Sequence, residues 1–395
     1  MNVPGNEHYM NKVSLYLRDS AKYKVFPPDS IIYPKNGGAV FTNKKRILTV
    51  NSLIDLNTGA YIPSNLVDNK YAYYLFSTID FNKFYKGTSV PTVDHDSICE
   101  LFFGLPPLVE QKEIVKQLSE VFKNIDIVEE DKSILLETVS KAKSKILDLA
   151  IHGKLVPQDP NDEPASVLLE KLRAEKEEKI AKSELKRDKN DSYIYKGSDN
   201  CYYEKFKNST IEEIDIPFEI PDTWCWCRLR DIVYDLGDGI HGTPKYDDKG
   251  QYYFINGNNL LNGKIEIKQS TKRVSETEYK KYKKNLSERT IFVSINGTLG
   301  NISFYNNEQI ILGKSACYFN LTEHISKYYV YNFLNTNYFK KYVVENATGS
   351  TIKNVSLQAM RNLLIPIPPE EEQDRIVNTI KAVCFELSQI QNNII

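Results

Sequence analysis

The sequence predicts an α+β protein in which one unit, a globular domain followed by a helix, occurs twice. Three observations carry this. The chain has 395 residues, 41% hydrophobic and 11% aromatic, enough length for two or three domains and enough apolar side chain for real cores. The stretch Leu105-Pro106-Pro107-Leu108-Val109-Glu110-Gln111-Lys112-Glu113-Ile114-Val115 returns 262 residues later as Ile367-Pro368-Pro369-Glu370-Glu371-Glu372-Gln373-Asp374-Arg375-Ile376-Val377, with Pro, Pro, Glu, Gln, Ile and Val in register. After each copy, apolar residues recur four and three apart, the spacing of a helical seam.

The repeat extends upstream. Gly87-Thr88-Ser89-Val90 aligns with Gly349-Ser350-Thr351-Ile352 at the same offset, Lys70-Tyr71-Ala72-Tyr73 with Lys327-Tyr328-Tyr329-Val330 at 257, and Ile31 through Gly37 with Ile291 through Gly297 at 260. A period this long means duplicated domains rather than a solenoid. From Pro217, 74 residues precede Ile291, whereas 30 precede Ile31, so the first domain is read as partial.

Each Pro-Pro fixes φ and removes N–H donors where a helix can begin, and the glutamates that follow suit the positive helix end. The first seam runs through Ile114, Leu118, Val121, Ile125, Val128, Leu135, Val139, Ala142, Ile146 and Leu149, broken only by Lys132. A helix from about Glu110 to Ala150 is roughly 60 Å long, enough to hold two domains apart. The second seam, Ile376, Ile380, Val383, Leu387, Ile390 and Ile394, is shorter. The two seams can pack on each other, or each on its own domain.

The expected boundaries are a partial first domain over 1–105, the first helix over 106–152, a turn, charged helix and linker over 153–215, a second domain over 216–366 and the second helix over 367–395. Within the middle segment, His152 to Pro160 is rich in helix breakers. The mixed charges up to about Lys189 read as a solvated helix, and the polar stretch from Asn190 to Asp215 as a linker.

Composition excludes several classes. No apolar run approaches the roughly 20 residues that span a bilayer, and the polar start lacks a signal-peptide pattern, so a cytoplasmic location without membrane is expected. The cysteines Cys99, Cys201, Cys225, Cys227, Cys317 and Cys384 are scattered and read as reduced and mostly buried, with no metal site. No catalytic residue is expected either. The chain lacks Asn-Pro-Pro-Tyr and Asp-Pro-Pro-Trp steps, Gly313-Lys314-Ser315 lacks the upstream glycine of a phosphate loop, and His8, His95, His152, His241 and His324 are isolated. A net charge of −1 argues against nucleic acid, but Pro217 to Pro366 carries 19 Lys and Arg against 14 Asp and Glu.

The paired P-P-x-x-E-Q-x-x-I-V starts (with Glu371 filling an extra position), Gly153 to Ser166 (GKLVPQDPNDEPAS), the Pro221-Asp222-Thr223-Trp224 entry and Gly242-Thr243-Pro244-Lys245-Tyr246 together resemble the specificity subunit of type I restriction-modification systems, over nearly the whole chain from about Ile31. The resemblance implies two target-recognition domains, the first partial here. It also implies two long helices paired as an antiparallel coiled coil. It further implies binding to double-stranded DNA at a split site, and partnership with modification (methyltransferase) subunits and restriction (motor-nuclease) subunits. The chain itself would hold no cofactor, with S-adenosylmethionine, ATP and Mg on the partners. Two domains on a rigid spacer suit two short sequences separated by unread bases.

Candidate DNA-binding residues lie in the second domain. His241, Thr243, Lys245 and Tyr246 sit on a glycine-rich loop that offers donors, charge and stacking area, although an ordinary surface turn reads the same way. Asn256, Asn258 and Asn259 carry amides suited to adenine, and equally to turns. Lys272 and Arg273, with Lys280, Lys281, Lys283 and Lys284, form a basic cluster for phosphates or for solvent. Asn296, Thr298, Ser350, Thr351, Lys353 and Asn354 lie in repeat-matched polar turns, whose first-copy equivalents include Lys35, Asn36, Gly37, Thr88 and Ser89. Two other readings stay open, a non-catalytic coiled-coil interaction scaffold and an inactive or recombining specificity cassette.

Overall fold

The computed structural model describes residues 5–13, 16, 23–188 and 190–394. It forms two compact units, Met1–Lys132 and Ser133–Ile395. In the first, β1 (Tyr9–Met10), β2 (Ile31–Pro34), β3 (Arg46–Leu48) and β4 (Thr58–Tyr61) make a sheet in the order β1-β3-β2-β4. Helix α1 (Asn69–Ser77) begins where the Asp68 carboxylate accepts the N–H groups of Lys70 and Tyr71, and it buries Ala72 and Tyr73 with Ile31 and Ile47. The hairpin β5 (Tyr85–Lys86) and β6 (Thr92–Val93) leads to the short α2 (His95–Cys99) and then to α3 (Leu108–Ile151), which continues past the unit boundary.

The second unit opens with the end of α3, then α4 (Ala165–Ala181) and an antiparallel sheet of β7 (Ser192–Lys196), β8 (Tyr202–Phe206) and β9 (Ile211–Ile214). Next come β10 (Cys225–Arg228), β11 (Val233–Asp238), β12 (Tyr252–Ile255), the hairpin β13 (Leu260–Leu261) and β14 (Lys264–Ile265), β15 (Arg273–Val274) and α5 (Glu276–Tyr282). The central strands β16 (Thr290–Ser294), β17 (Ile302–Phe304), β18 (Ile310–Leu312) and β19 (Ala316–Leu321) follow. The chain closes with α6 (Lys327–Leu334), α7 (Asn337–Glu345), the hairpin β20 (Ala347–Thr348) and β21 (Asn354–Val355), α8 (Leu357–Asn362), β22 (Leu364–Ile367) and α9 (Glu370–Ile394). The core sheet has the order β11-β19-β16-β17, with β16 buried at every position. Beside it stand β15-β12-β18 and the pair β10-β22.

The two units share fine detail. Gly87 and Gly349 both have positive φ, 89° and 94°, and a Cβ at either would meet the carbonyl oxygen three residues on. The Gly37 N–H donates to the Pro91 carbonyl at 2.8 Å and the Gly297 N–H to the Lys353 carbonyl at 3.0 Å. The buried Gln111 amide accepts the Asp68 N–H (2.8 Å) and donates to the Pro106 carbonyl (2.8 Å). Buried Gln373 accepts the Ser326 N–H (2.7 Å) and donates to the Pro368 carbonyl (3.3 Å). Asp68 and Ser326 cap α1 and α6, so each Pro-Pro helix is stapled to the start of a helix of its own domain. These contacts pair the helices at an offset of 258, one residue from the 257 of the sequence alignment.

Three sequence motifs meet in the second unit. The Glu372 carboxylate, fully buried, accepts from Trp224 Nε1 (2.9 Å) and Gln158 Nε2 (2.6 Å), while Thr223 Oγ1 donates to Gln158 Oε1 (2.9 Å). Arg375 pairs with Asp162. Gly153 has φ +65°, and a Cβ there would come within 2.3 Å of Pro221 Cγ. Lys143 Nζ reaches Ser388 Oγ and Gln391 Oε1, both at 3.1 Å, so α9 runs antiparallel to the end of α3.

Several expectations need correction. The segment 190–215 is not a linker, because Arg228 and Arg230 converge on buried Glu204 and Ser192 and fold β7-β8-β9 onto the domain. Helix α4 is not merely solvated. It buries Ala165, Leu168 and Leu172, and Lys176 Nζ donates to the Arg230 carbonyl at 2.7 Å. The expected helix end at Lys189 lies outside the described residues, as do parts of the first 22 positions and Ile395. Cys227 and Cys317 are buried, but Cys99 is exposed and the other three are half-buried. In the first seam Val139 is buried, whereas Val121, Ile125, Val128 and Leu135 are exposed.

Burial pushes the Glu372 carboxyl above its ordinary value of 4.5. A raised folded-state value means the native state holds a proton that the unfolded chain releases, so this residue's contribution to stability falls as pH rises above 4.5. Glu372→Gln is therefore expected to flatten that part of the pH–stability curve, read by urea denaturation between pH 4 and 8. Gly153→Ala is expected to cost about 1–3 kcal/mol in the same assay.

Candidate nucleic-acid interface

The glycine-rich loop follows β11 because Gly239 must pass against the Leu312 carbonyl, where a Cβ would lie 2.0 Å from the oxygen. Its residues His241, Thr243, Lys245 and Tyr246 are all exposed. His241 Nε2 lies 2.8 Å from Asp238 Oδ2, and the backbone N–H of exposed Lys245 donates to the buried Glu278 carboxylate at 3.0 Å, which fixes the loop. At its far end Tyr246 bridges to Val274, with Lys272 Nζ 5.8 Å from its ring centre. Arg273 lies 5.3 Å from the Tyr253 ring. Both cations are exposed beside aromatic faces, an arrangement suited to phosphate with stacking.

The repeat-matched turns meet the loop's near end. Asn296 Nδ2 donates to Asn354 Oδ1 at 3.0 Å, and this amide pair lines a cleft of about 460 Å³ together with Asp238, His241, Lys314 and Ser356. Thr298, Ser350, Thr351 and Lys353 are exposed on the same turns. Sequence reading missed Lys314 and Ser356. Lys314 was seen only as part of a failed phosphate loop, and its bonding to the β11 loop (its N–H to the Ile240 carbonyl, 3.1 Å) has no local signal.

The asparagine cluster divides. Asn259 is buried, its Nδ2 donating to the Glu266 carbonyl (2.9 Å) and Thr271 Oγ1 (3.2 Å), and its Oδ1 accepting the Asn256 N–H (3.0 Å). Asn256 Oδ1 accepts from Ser315 Oγ at 3.3 Å. The Asn259 amide is spent on the fold, Asn256 is half-buried with its Oδ1 engaged, and Asn258 is exposed. Of the other lysines, Lys280 pairs with Glu276 at 2.7 Å, and Lys281 and Lys284 lie over Tyr282 and Tyr318. In the first unit Asn36 is half-buried and donates to the Leu56 carbonyl at 3.2 Å, while Thr88 and Ser89 are exposed. His95 is held by its 2.8 Å contact with the buried Tyr33 hydroxyl. Among the described residues no group of His, Cys, Asp and Glu could hold a metal, and no helix is long and apolar enough to cross a membrane.

The sequence pattern of the type I restriction modification DNA specificity domain matches residues 3–138 and 221–395. The chain belongs to this family. Among curated members, the EcoAI specificity subunit of Escherichia coli is 28% identical over 61% of this chain and 39% of its own length. The EcoEI specificity subunit of Escherichia coli is 28% identical over 64% and 40%. The matched region thus spans about two-fifths of these type I specificity subunits. In fold, a chain solved for the structural basis of complex assembly and conformational transition of the type I R-M system superposes over 94% of this chain and 78% of its own, with a TM-score of 0.57 at 14% identity. The two matched stretches follow the two copies of the repeat, and the unmatched gap holds α4 and the β7-β8-β9 sheet.

Asn259→Ala is expected to destabilise the second unit by about 1–3 kcal/mol, because it leaves the Asn256 N–H without its acceptor, whereas Asn258→Ala leaves the melting temperature unchanged. Thermal denaturation of the two variants side by side checks this.

Proposed function

We propose that the chain is the DNA sequence-recognition subunit of a type I restriction-modification complex. It binds a bipartite site on double-stranded DNA and directs partner methyltransferase and endonuclease subunits, catalysing nothing itself. Family membership supports the reading. The observation that carries it is the gathering of His241, Asn296, Asn354 and Lys314 around one cleft, with Tyr246 at the far end of the loop beside Lys272 and Arg273 at the start of β15. Amides at a cleft suit base edges, and flanking cations suit the phosphates on either side. Lys245, Thr243, Asn258, Thr298, Ser350, Thr351 and Lys353 are the exposed neighbours that complete the surface, while Asn256 and Asn259 support it from beneath.

On this reading the modification subunits bring S-adenosylmethionine, the restriction subunits bring ATP and Mg, and the assembly works in the cytoplasm. The exposed apolar stripe of the first unit's helix, Val121, Phe122, Ile125 and Val128, is surface on which helices of such partners would pack.

Counterion release supplies the test. Affinity for a mixed-sequence duplex, measured by fluorescence anisotropy, should fall linearly with the logarithm of salt concentration, and the double variant Lys272→Ala/Arg273→Ala should lower that slope by about two. A slope unchanged by the double variant would remove these residues from the interface, and the absence of any salt-dependent binding would remove the DNA reading.

A further inference from the structure

Helix α4 and strand β7, which lie outside the two matched stretches, wall a cavity of about 850 Å³ against β11 and the turn Leu229–Ile232 that follows β10. That is the size of a site for a small organic molecule. Leu169, Ile180, Val233 and Leu236 give it an apolar wall, with Tyr193 and Tyr234 beside them. As many basic as acidic side chains line it, and several neutralise one another. Arg187 pairs with Glu177 and Asp191, Arg361 with Asp188 at 3.6 Å, and Arg289 with Glu323 at 3.8 Å. The lining therefore carries no net charge to draw in an ion.

One polar pair in this lining is left open. The guanidinium of buried Arg230 is fixed by bonds from Nη1 to Asn362 Oδ1 (2.5 Å) and from Nη2 to Ser192 Oγ and Glu204 Oε1 (both 2.7 Å). Its Nε–H has no acceptor among the described residues. Asp231 Oδ1 lies 4.0 Å away, too far for a direct hydrogen bond. Among the described residues no donor reaches that oxygen, since the Arg228 N–H takes Oδ2 at 2.8 Å. Burial pushes the Asp231 carboxyl above its ordinary value of 3.8. A fixed N–H and a carboxylate oxygen at this separation are bridged by one hydroxyl, which accepts from the first and donates to the second at about 2.8 Å each. A carbonyl or carboxylate could only accept there, and an ammonium could only donate.

We infer that this cavity binds an uncharged, hydroxyl-bearing small molecule of nucleoside or sugar size, with one hydroxyl held between Arg230 Nε and Asp231 Oδ1. The apolar wall and the two tyrosines receive the less polar face of its ring, and the hydroxyl bridge fixes its orientation. The site does not rest on the DNA reading, since it uses none of the residues of that surface.

The test titrates the full chain with three probes, adenosine, ribose and myo-inositol, by isothermal calorimetry. Saturable one-to-one binding of at least one probe, with a Kd below about 1 mM, is expected. Binding of adenosine alone assigns the site to nucleosides, and binding of ribose or inositol assigns it to sugars and polyols. Asp231→Asn keeps an oxygen for the Arg228 N–H but puts an amide NH2 where the hydroxyl needs an acceptor. Ile180→Trp fills the cavity from its half-buried wall position without touching the polar pair. Each variant is expected to weaken binding at least about tenfold, with circular dichroism checking that it is folded. Ile180→Trp decides the question where Asp231→Asn does not fold. Absence of saturable binding by all three probes, the outcome for a cavity that holds only water, overturns the inference. So does binding that survives Ile180→Trp or a folded Asp231→Asn.

Discussion

Two buried glutamines organise this protein. A carboxamide can accept and donate at once, and Gln111 and Gln373 use both ends, taking the N–H of a helix cap and holding the carbonyl of a proline just before the long helix. A buried N–H left without its acceptor costs about 1–3 kcal/mol, so this one side chain makes the start of each Pro-Pro helix a continuation of its domain rather than a loose tail. The direction of α3 and of α9 as they leave their domains follows from it. Where α9 then runs beside the end of α3, the buried Glu372 adds a second anchor that ties the Gly153–Ser166 turn and the Pro-x-x-Trp entry to the same point.

Much of this was legible in the sequence because it depends on residue types that few others can replace. Positive-φ glycines at Gly87 and Gly349, prolines at helix starts and the glutamines Gln111 and Gln373 recur in register, and the structure gives each of these pairs the same task, whereas Glu372 is buried and its counterpart Glu110 is exposed. What escaped reading is the part where polarity stands inside. The β7-β8-β9 sheet turns Ser192 and Glu204 inward, with Glu204 paired to Arg228 of β10 and to Arg230 in the turn after it, so its alternation is not one of apolar against polar. Helix α4 hides a narrow face of Ala165, Leu168 and Leu172 under a charged sequence. The same limit applied to the asparagines, where the choice between base contact and internal bonding turned on partners at Glu266 and Thr271 that local sequence does not reveal.

The inequality of the two units is as informative as their likeness. The second unit closes its terminal strand with β10 and its Glu372 with Trp224, and it gathers loops from three places around a polar cleft. The first has the same staple, hairpin and capped helices, yet it presents Phe103, Leu105 and Glu110 to solvent. The glutamine staple, the positive-φ glycine hairpin and the capped helices recur in both copies.

The most direct measurement is a map of methylated bases in cells that carry a type I modification subunit with and without this chain. The account predicts methylation at a split sequence that appears with the chain, and half of which changes when the loop and turn residues of the second unit are exchanged for those of a relative. A methylation pattern indifferent to the presence of the chain, or to that exchange, would contradict it.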